Sequence, residues 1–125
     1  MEFFDIDFIG NGGTGISCEE TVFLRNCRFE GWDIGVHVQT GGWSQSDDCI
    51  YKNNGIGLLF DCAEDGSFGP GYDNNVFVDN GIGIQIKAVP NRRTLSFDQN
   101  EFRGNGVNID NVCGQSIEIN EPIYH

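Results

Sequence analysis

The chain has 125 residues, one modest domain's worth, and 7 Lys and Arg against 19 Asp and Glu give a net charge of −12. That sign opposes the counterion release that drives binding to phosphate backbones, so no nucleic-acid partner is expected. Hydrophobic residues at 38% and aromatics at 12% supply a core, while 18 Gly beside 3 Pro exclude collagen-like and Pro-rich classes and point to recurrent tight turns.

From the start, Met1 to Asp7 reads as strand and carries Glu2, Asp5 and Asp7 where a secretory leader would be positive. No apolar run approaches the roughly 20 residues of a membrane helix, so no membrane partner is expected. A phrase then recurs: an aromatic, a short polar stretch, Gly, then alternating apolar residues. A loose copy runs from Phe8 through Asn11-Gly12 to Gly15-Ile16. Fuller copies are Phe29 to Val36, Tyr51 to Leu58, Phe77 to Ile84 and Phe102 to Ile109, two of them reading Asn-Gly-Ile-Gly outright. The aromatic anchors at 8, 29, 51, 77 and 102 are 21, 22, 26 and 25 residues apart.

Each copy ends in period-two alternation, as in Ile34, Val36 and Val38, or Ile82, Ile84 and Ile86, which is strand and not helix. The residues ahead of the bend alternate too: Cys27 with Phe29, Cys49 with Tyr51, Asn75 with Phe77, Asn100 with Phe102. The pattern predicts two short strands per repeat, joined at a bend where Gly supplies positive φ. One unit cannot bury its own apolar face. Stacked about 4.8 Å apart, the units form parallel ladders around one column of side chains. The expected fold is all-β, a parallel β-solenoid of about five coils. Leucine-rich and helical repeats lack their patterns here, and Gly12-Gly13-Thr14-Gly15-Ile16-Ser17 has Ser where a calcium roll needs Asp.

Three segments stretch the period after the second strand: Thr40 to Ser46, Asp61 to Asp73 and Lys87 to Phe97. They are expected to emerge as one loop wall carrying Trp43, Glu64, Asp65, Phe68, Tyr72, Arg92 and Arg93, with Asp47 and Asp48 close by. Gly35, Gly57 and Gly83 are expected to form a bare outward strip, flanked by His37, Leu59 and Gln85. The five cysteines lack zinc-type spacing, so no metal site is expected. Cys27 and Cys49 read as apolar fillers of the interior slot that Asn75 and Asn100 occupy higher up as an amide ladder.

Coils of this length with the Phe-x-x-Asn-Gly-x-Gly-Ile phrase resemble the right-handed parallel β-helix repeats of the pectate-lyase-like superfamily, over roughly Phe8 to Ile119. The resemblance implies a right-handed β-helix and a carbohydrate-associated role at the cell surface or in secretion. On that expectation a glycan lies over the glycine strip and meets His37, Trp43, Asp47, Asp48 and Tyr72, with Trp43 and Tyr72 as stacking surfaces. Asp47-Asp48 resembles the Asp pair of polygalacturonases, and Ile86-Lys87 the end of their Arg-Ile-Lys motif. Gln85 replaces the Arg, however, and Asn-Thr-Asp and Gly-His-Gly are missing. The lyase signature Arg-x-Pro-x-x-Arg is also missing around Pro90. No catalytic residues are assigned; an enzyme of this family would be a polysaccharide lyase or glycoside hydrolase. No cofactor is expected beyond a calcium ion that Asp61, Glu64 and Asp65 would hold.

Five coils make a stub of about 24 Å whose ends expose apolar rings and strand edges. Residues 1–125 therefore read as a single β-helix domain, a fragment or small module of a longer β-helix, with self-association through the open ends. Two functional expectations follow. A polysaccharide-binding or polysaccharide-processing module requires exposed aromatics on the loop wall. A non-catalytic structural, adhesin-like or tailspike-like module requires Trp43 and Tyr72 packed away.

Overall fold

Parallel strands leave every backbone N–H and C=O to be satisfied by the rungs above and below. In the computed structural model, which describes residues 1–62, 72–89, 94–114 and 118–120, the repeats answer by stacking. The first turn has strands β1 (Glu2–Phe4), β2 (Asp7–Ile9) and β3 (Thr14–Cys18); the second has β4 (Thr21–Arg25), β5 (Arg28–Glu30) and β6 (Ile34–Gln39). The third has β7 (Trp43–Asp47), β8 (Ile50–Lys52) and β9 (Ile56–Asp61), and the fourth has β10 (Tyr72–Asp73), β11 (Val76–Val78) and β12 (Ile82–Ala88). The fifth has β13 (Thr94–Ser96), β14 (Glu101–Arg103) and β15 (Val107–Asn111), followed by β16 (Glu118–Asn120).

All pairings are parallel. They build sheets β1-β4-β7-β10, β2-β5-β8-β11-β14 and β3-β6-β9-β12-β15, with β13 pairing β16. The described residues contain no helix, and the architecture is a parallel β-solenoid of about five turns.

The predicted register holds. Phe8, Phe29, Tyr51, Phe77 and Phe102 are successive ladder partners. Their rings form one stack, with centroids 4.8, 5.2, 4.6 and 5.0 Å apart and planes within 13° of parallel. Val36, Leu58 and Ile84 pack beside the stack, and Val38, Phe60 and Ile86 lie two residues further on.

Each turn has three strands, where the sequence pattern gave two. The sheet that the recurring phrase does not mark, β1-β4-β7-β10, begins within Met1 to Asp7, read above as strand, and contains Trp43–Asp47, of which Trp43 to Ser46 was assigned to loop. Its inward residues in β7 are Ser44 and Ser46, so the apolar alternation is disguised. Both hydroxyls are paired inside, Ser44 with the Tyr72 hydroxyl at 2.6 Å and Ser46 with that of Tyr51 at 2.7 Å.

The corners divide their work between residue types. Positive φ belongs to Asp5, Asn26, Asp48 and Asn74 at the corner before the second strand, and to Gly31, Asn53, Asp79 and Gly104 at the corner after it. Asn and Asp tolerate this region better than other side chains. Gly55, Gly81 and Gly106, to which the bend was attributed, serve close approach instead. A β-carbon there would lie 2.7–2.8 Å from a carbonyl oxygen of the preceding rung.

At the upper corners the residue after the positive-φ position closes the turn. Asn75 Oδ1 accepts from the Cys49 N–H at 3.0 Å, and Asn75 Nδ2 donates to Asn100 Oδ1 and to the Ser46 carbonyl, both at 2.8 Å. This is the expected amide ladder. Cys27 and Cys49 occupy the same slot below it as free, buried thiols. A second ladder, unforeseen, runs through Asn54, Asn80 and Asn105, which donate to the carbonyls of Phe29, Tyr51 and Phe77 at 2.9–3.0 Å. Trp32 takes over one rung lower, its indole N–H donating to the Phe8 carbonyl at 2.9 Å.

The glycine strip faces the other way from its predicted side. Gly35, Gly57 and Gly83 are buried, and a β-carbon on Gly57 would meet the Gly83 carbonyl oxygen at 2.7 Å and Phe77 Cδ1 at 3.2 Å. The extended backbone tightens around the aromatic stack at these positions; Val36 and Val38, Leu58 and Phe60, and Ile84 and Ile86 face inward as predicted, and the glycine ahead of each pair departs from the alternation. Gly57→Ala should therefore cost about 1–3 kcal/mol, as overpacking against a rigid wall does, read as a lower urea midpoint with unchanged slope.

Candidate functional site

Trp43 opens β7 and Tyr72 opens β10 in the sheet that the recurring phrase does not mark. Trp43 is 3% exposed and Tyr72 5%, so neither presents a stacking face to solvent. Trp43 stacks on Phe60 at 5.1 Å and meets Tyr72 edge-on at 6.0 Å, and Tyr72 meets Phe97 edge-on at 5.6 Å. The expectation that these rings line an external wall is corrected: they form a second aromatic cluster within the core. Burial raises the Tyr72 hydroxyl well above its ordinary pKa, and the bond from Ser44 opposes that only in part. The other residues of the expected wall, Glu64, Asp65, Phe68, Arg92 and Arg93, lie outside the described residues.

His37 lies on β6 between inward Val36 and Val38, on the outer face of the sheet β3-β6-β9-β12-β15. Its Nε2 stands 3.4 Å from Asp61 Oδ2, one rung up. Similar polar pairs flank it: Gln39 donates to the Ser17 hydroxyl, and Gln85 Nε2 donates to Asp110 Oδ2 at 3.1 Å. Leu59, in register between His37 and Gln85, is 6% exposed although it faces outward. Asp61 entered the sequence reading as a calcium ligand, and its pairing with His37 was not anticipated. The two are 24 residues apart, and only the rung-over-rung register joins them.

Asp47 and Asp48 part company at the strand end. Asp48 is an exposed positive-φ corner residue; Asp47 ends β7 on the outer face, laddered between Arg25 and Asp73. Asp47 Oδ1 is buried with no hydrogen-bond partner. Desolvation, then the Asp73 and Asp48 carboxylates, raise the Asp47 pKa above 3.8. His37 and the acidic pair lie on different sheets, so the five residues singled out do not converge on one site. Among the described residues, no group of three or more His, Cys, Asp and Glu is placed to hold a metal ion.

The buried thiols suit no nucleophilic role. Burial, then the neighbouring Cys62, pushes the Cys18 thiol up to about 12, and burial pushes Cys49 and Cys62 to about 11. A thiolate is the reactive form, so these sulfurs are inert at neutral pH.

Comparison with protein-family models, with curated proteins and with solved structures finds no match to this chain.

Two outcomes follow. With an aromatic disulfide reagent at mildly alkaline pH, half-buried Cys113 should react first and the four buried thiols only after unfolding. Asp47→Asn should stabilise the protein at neutral pH. A raised folded pKa means that the ionised carboxylate destabilises the fold fully above that pKa, and that this penalty fades as pH falls to 3.8 and below. The gain in urea midpoint should therefore vanish in acid.

Proposed function

We propose that the chain is a non-catalytic structural module, a short rod of β-rungs of the spacer, adhesin or tailspike kind, acting at a cell surface or outside the cell. The burial of Trp43 and Tyr72 carries this reading, because the two aromatics best suited to a sugar face are spent on packing. Kinship with the right-handed pectate-lyase-like repeats is part of the proposal, supported by the recurrent phrase and by the parallel solenoid it builds. Contact through the solenoid ends belongs to it as well. Strands β1, β2 and β3 each pair on one side only, and Phe4 and Ile9 on that rung are 51% and 59% exposed. Unpaired parallel edges beside apolar side chains favour further rungs, from a second copy or a longer chain.

A polysaccharide-binding module is the second reading, and one observation favours it. The outer face of β3-β6-β9-β12-β15 carries Ser17, His37, Gln85 and Asp110 in one row, interrupted at Leu59, and Gln39 and Asp61 in the next, hydrogen-bonding groups that suit hydroxyls. Calorimetry against neutral and acidic oligosaccharides separates the two readings. The structural reading expects no saturable heat and unchanged tryptophan emission. A saturable heat that His37→Ala abolishes would overturn it in favour of the second.

A further inference from the structure

The outer face of the sheet β2-β5-β8-β11-β14 has a groove of about 380 Å³. Alternation turns Phe29, Tyr51, Phe77 and Phe102 inward, so the residues on either side of each face out in two columns. One column reads Asp7, Arg28, Ile50, Val76, Glu101, and the other reads Ile9, Glu30, Lys52, Val78, Arg103. Ile50, Val76 and Val78 make an apolar floor, and the longer Arg28, Lys52 and Arg103 stand around it.

Charge makes this floor distinctive. The chain is at −12, yet three of its seven Lys and Arg line this groove. One carboxylate lines it, that of Asp79. Arg28 is tethered to Glu30 of its own strand at 3.0 Å and Arg103 to Glu101 of its own strand at 3.1 Å. These pairs hold both guanidinium groups over the sheet. No ion pair is recorded for Lys52 among the described residues. A second observation is independent of charge: Arg28 Nε is buried and has no hydrogen-bond partner. The Arg28 side chain as a whole is 39% exposed, so the outer guanidinium edge, and not the buried Nε, is the part open to an incoming anion.

We propose that this groove binds an amphipathic anion, a carboxylate on an apolar tail, with the head at Arg28 and Lys52 and the tail over Ile50, Val76 and Val78. Asp79 follows Val78 at the far corner and repels a head placed there, which fixes the orientation. The volume falls in the range of small-molecule sites, and an apolar floor with a few convergent polar groups is their usual composition. The proposal is independent of the structural role argued above, since a rod can carry a ligand on one face.

The test uses octanoate as the probe, with acetate as a head without a tail and octyl glucoside as a tail without a charge. Methyl NMR of the whole chain should show saturable shifts at Ile50, Val76 and Val78 with octanoate and with neither control. Lys52→Glu should weaken octanoate binding about tenfold or more. Arg28→Gln should weaken it too, and conservative Val78→Thr should weaken it while leaving far-UV circular dichroism unchanged. Several results would overturn the proposal: shifts confined to the Phe4 and Ile9 end, equal response to acetate, undiminished binding by both charge variants, or no response. Ligand-free, concentration-dependent shifts at the same methyls would also overturn it, because a second copy would then be the occupant.

Discussion

Everything in this molecule depends on vertical coincidence between rungs. Within one turn the three strands make no ladder with one another; every ladder bond goes to the turn above or below. The aromatic stack fixes that coincidence, because offset rings about 5 Å apart interlock and a slip of one residue would turn each ring to solvent. The asparagine ladders fix it a second time at the corners. One amide satisfies both the N–H and the C=O that a left-handed corner residue strands in the preceding rung, as Asn54 does for Trp32 N and Phe29 O. Stack and ladder share a period, so each stabilises the register the other needs.

That arrangement explains why the outside is where function must be sought. Interior positions answer to packing: Gly57 lacks a side chain because the next rung's carbonyl fills the space, and Ser46 is tolerated inside because it has Tyr51 and Asn75 as partners. Outward positions have no such duty. The outer faces consequently differ from sheet to sheet, with polar pairs around His37 on one and aliphatic residues ringed by cations on another, while the interior repeats.

The fold was legible in the sequence because its controlling residues recur as identities. Phe8, Phe29, Tyr51, Phe77 and Phe102 announce the rung length, and Asn75 and Asn100 reveal an interior amide slot. The third strand was not legible, since Ser44 and Ser46 are polar residues doing inward work through hydrogen bonds that only the folded chain supplies. Asn54 and Asn80 were read as parts of a bend because Asn-Gly is so common in turns; the neighbouring Asn53 and Asp79 adopt the positive φ instead. Trp43 and Tyr72 misled for a related reason. An aromatic next to serines and glycines reads as a loop residue until the strand beneath it is recognised. The His37 to Asp61 pair was visible only once the register joined residues a full turn apart.

In-register stacking makes neighbours of like side chains, and whether that stabilises or costs depends on the chemistry of the group. An amide donates and accepts, so Asn80 over Asn54 is a continuous chain of hydrogen bonds. A carboxylate only accepts, so Asp73 beside Asp47 is a repulsion, which adds to the larger effect of burial in raising the Asp47 pKa. The same geometry thus gives opposite signs on two sides of one corner: Asp48 holds the left-handed turn, Asn75 satisfies the backbone beneath it, and Asp47 carries the electrostatic cost. On the middle sheet that cost is avoided by alternation. Asp7 is followed by Arg28, and Glu30 by Lys52, opposite charges on successive rungs. Ile50, Val76 and Val78 then interrupt the charge before Glu101 and Arg103 resume it. The cations around the groove are thereby held without a like charge on an adjacent rung of either column, and the two columns balance, three carboxylates against three cations, on a chain that is strongly acidic overall.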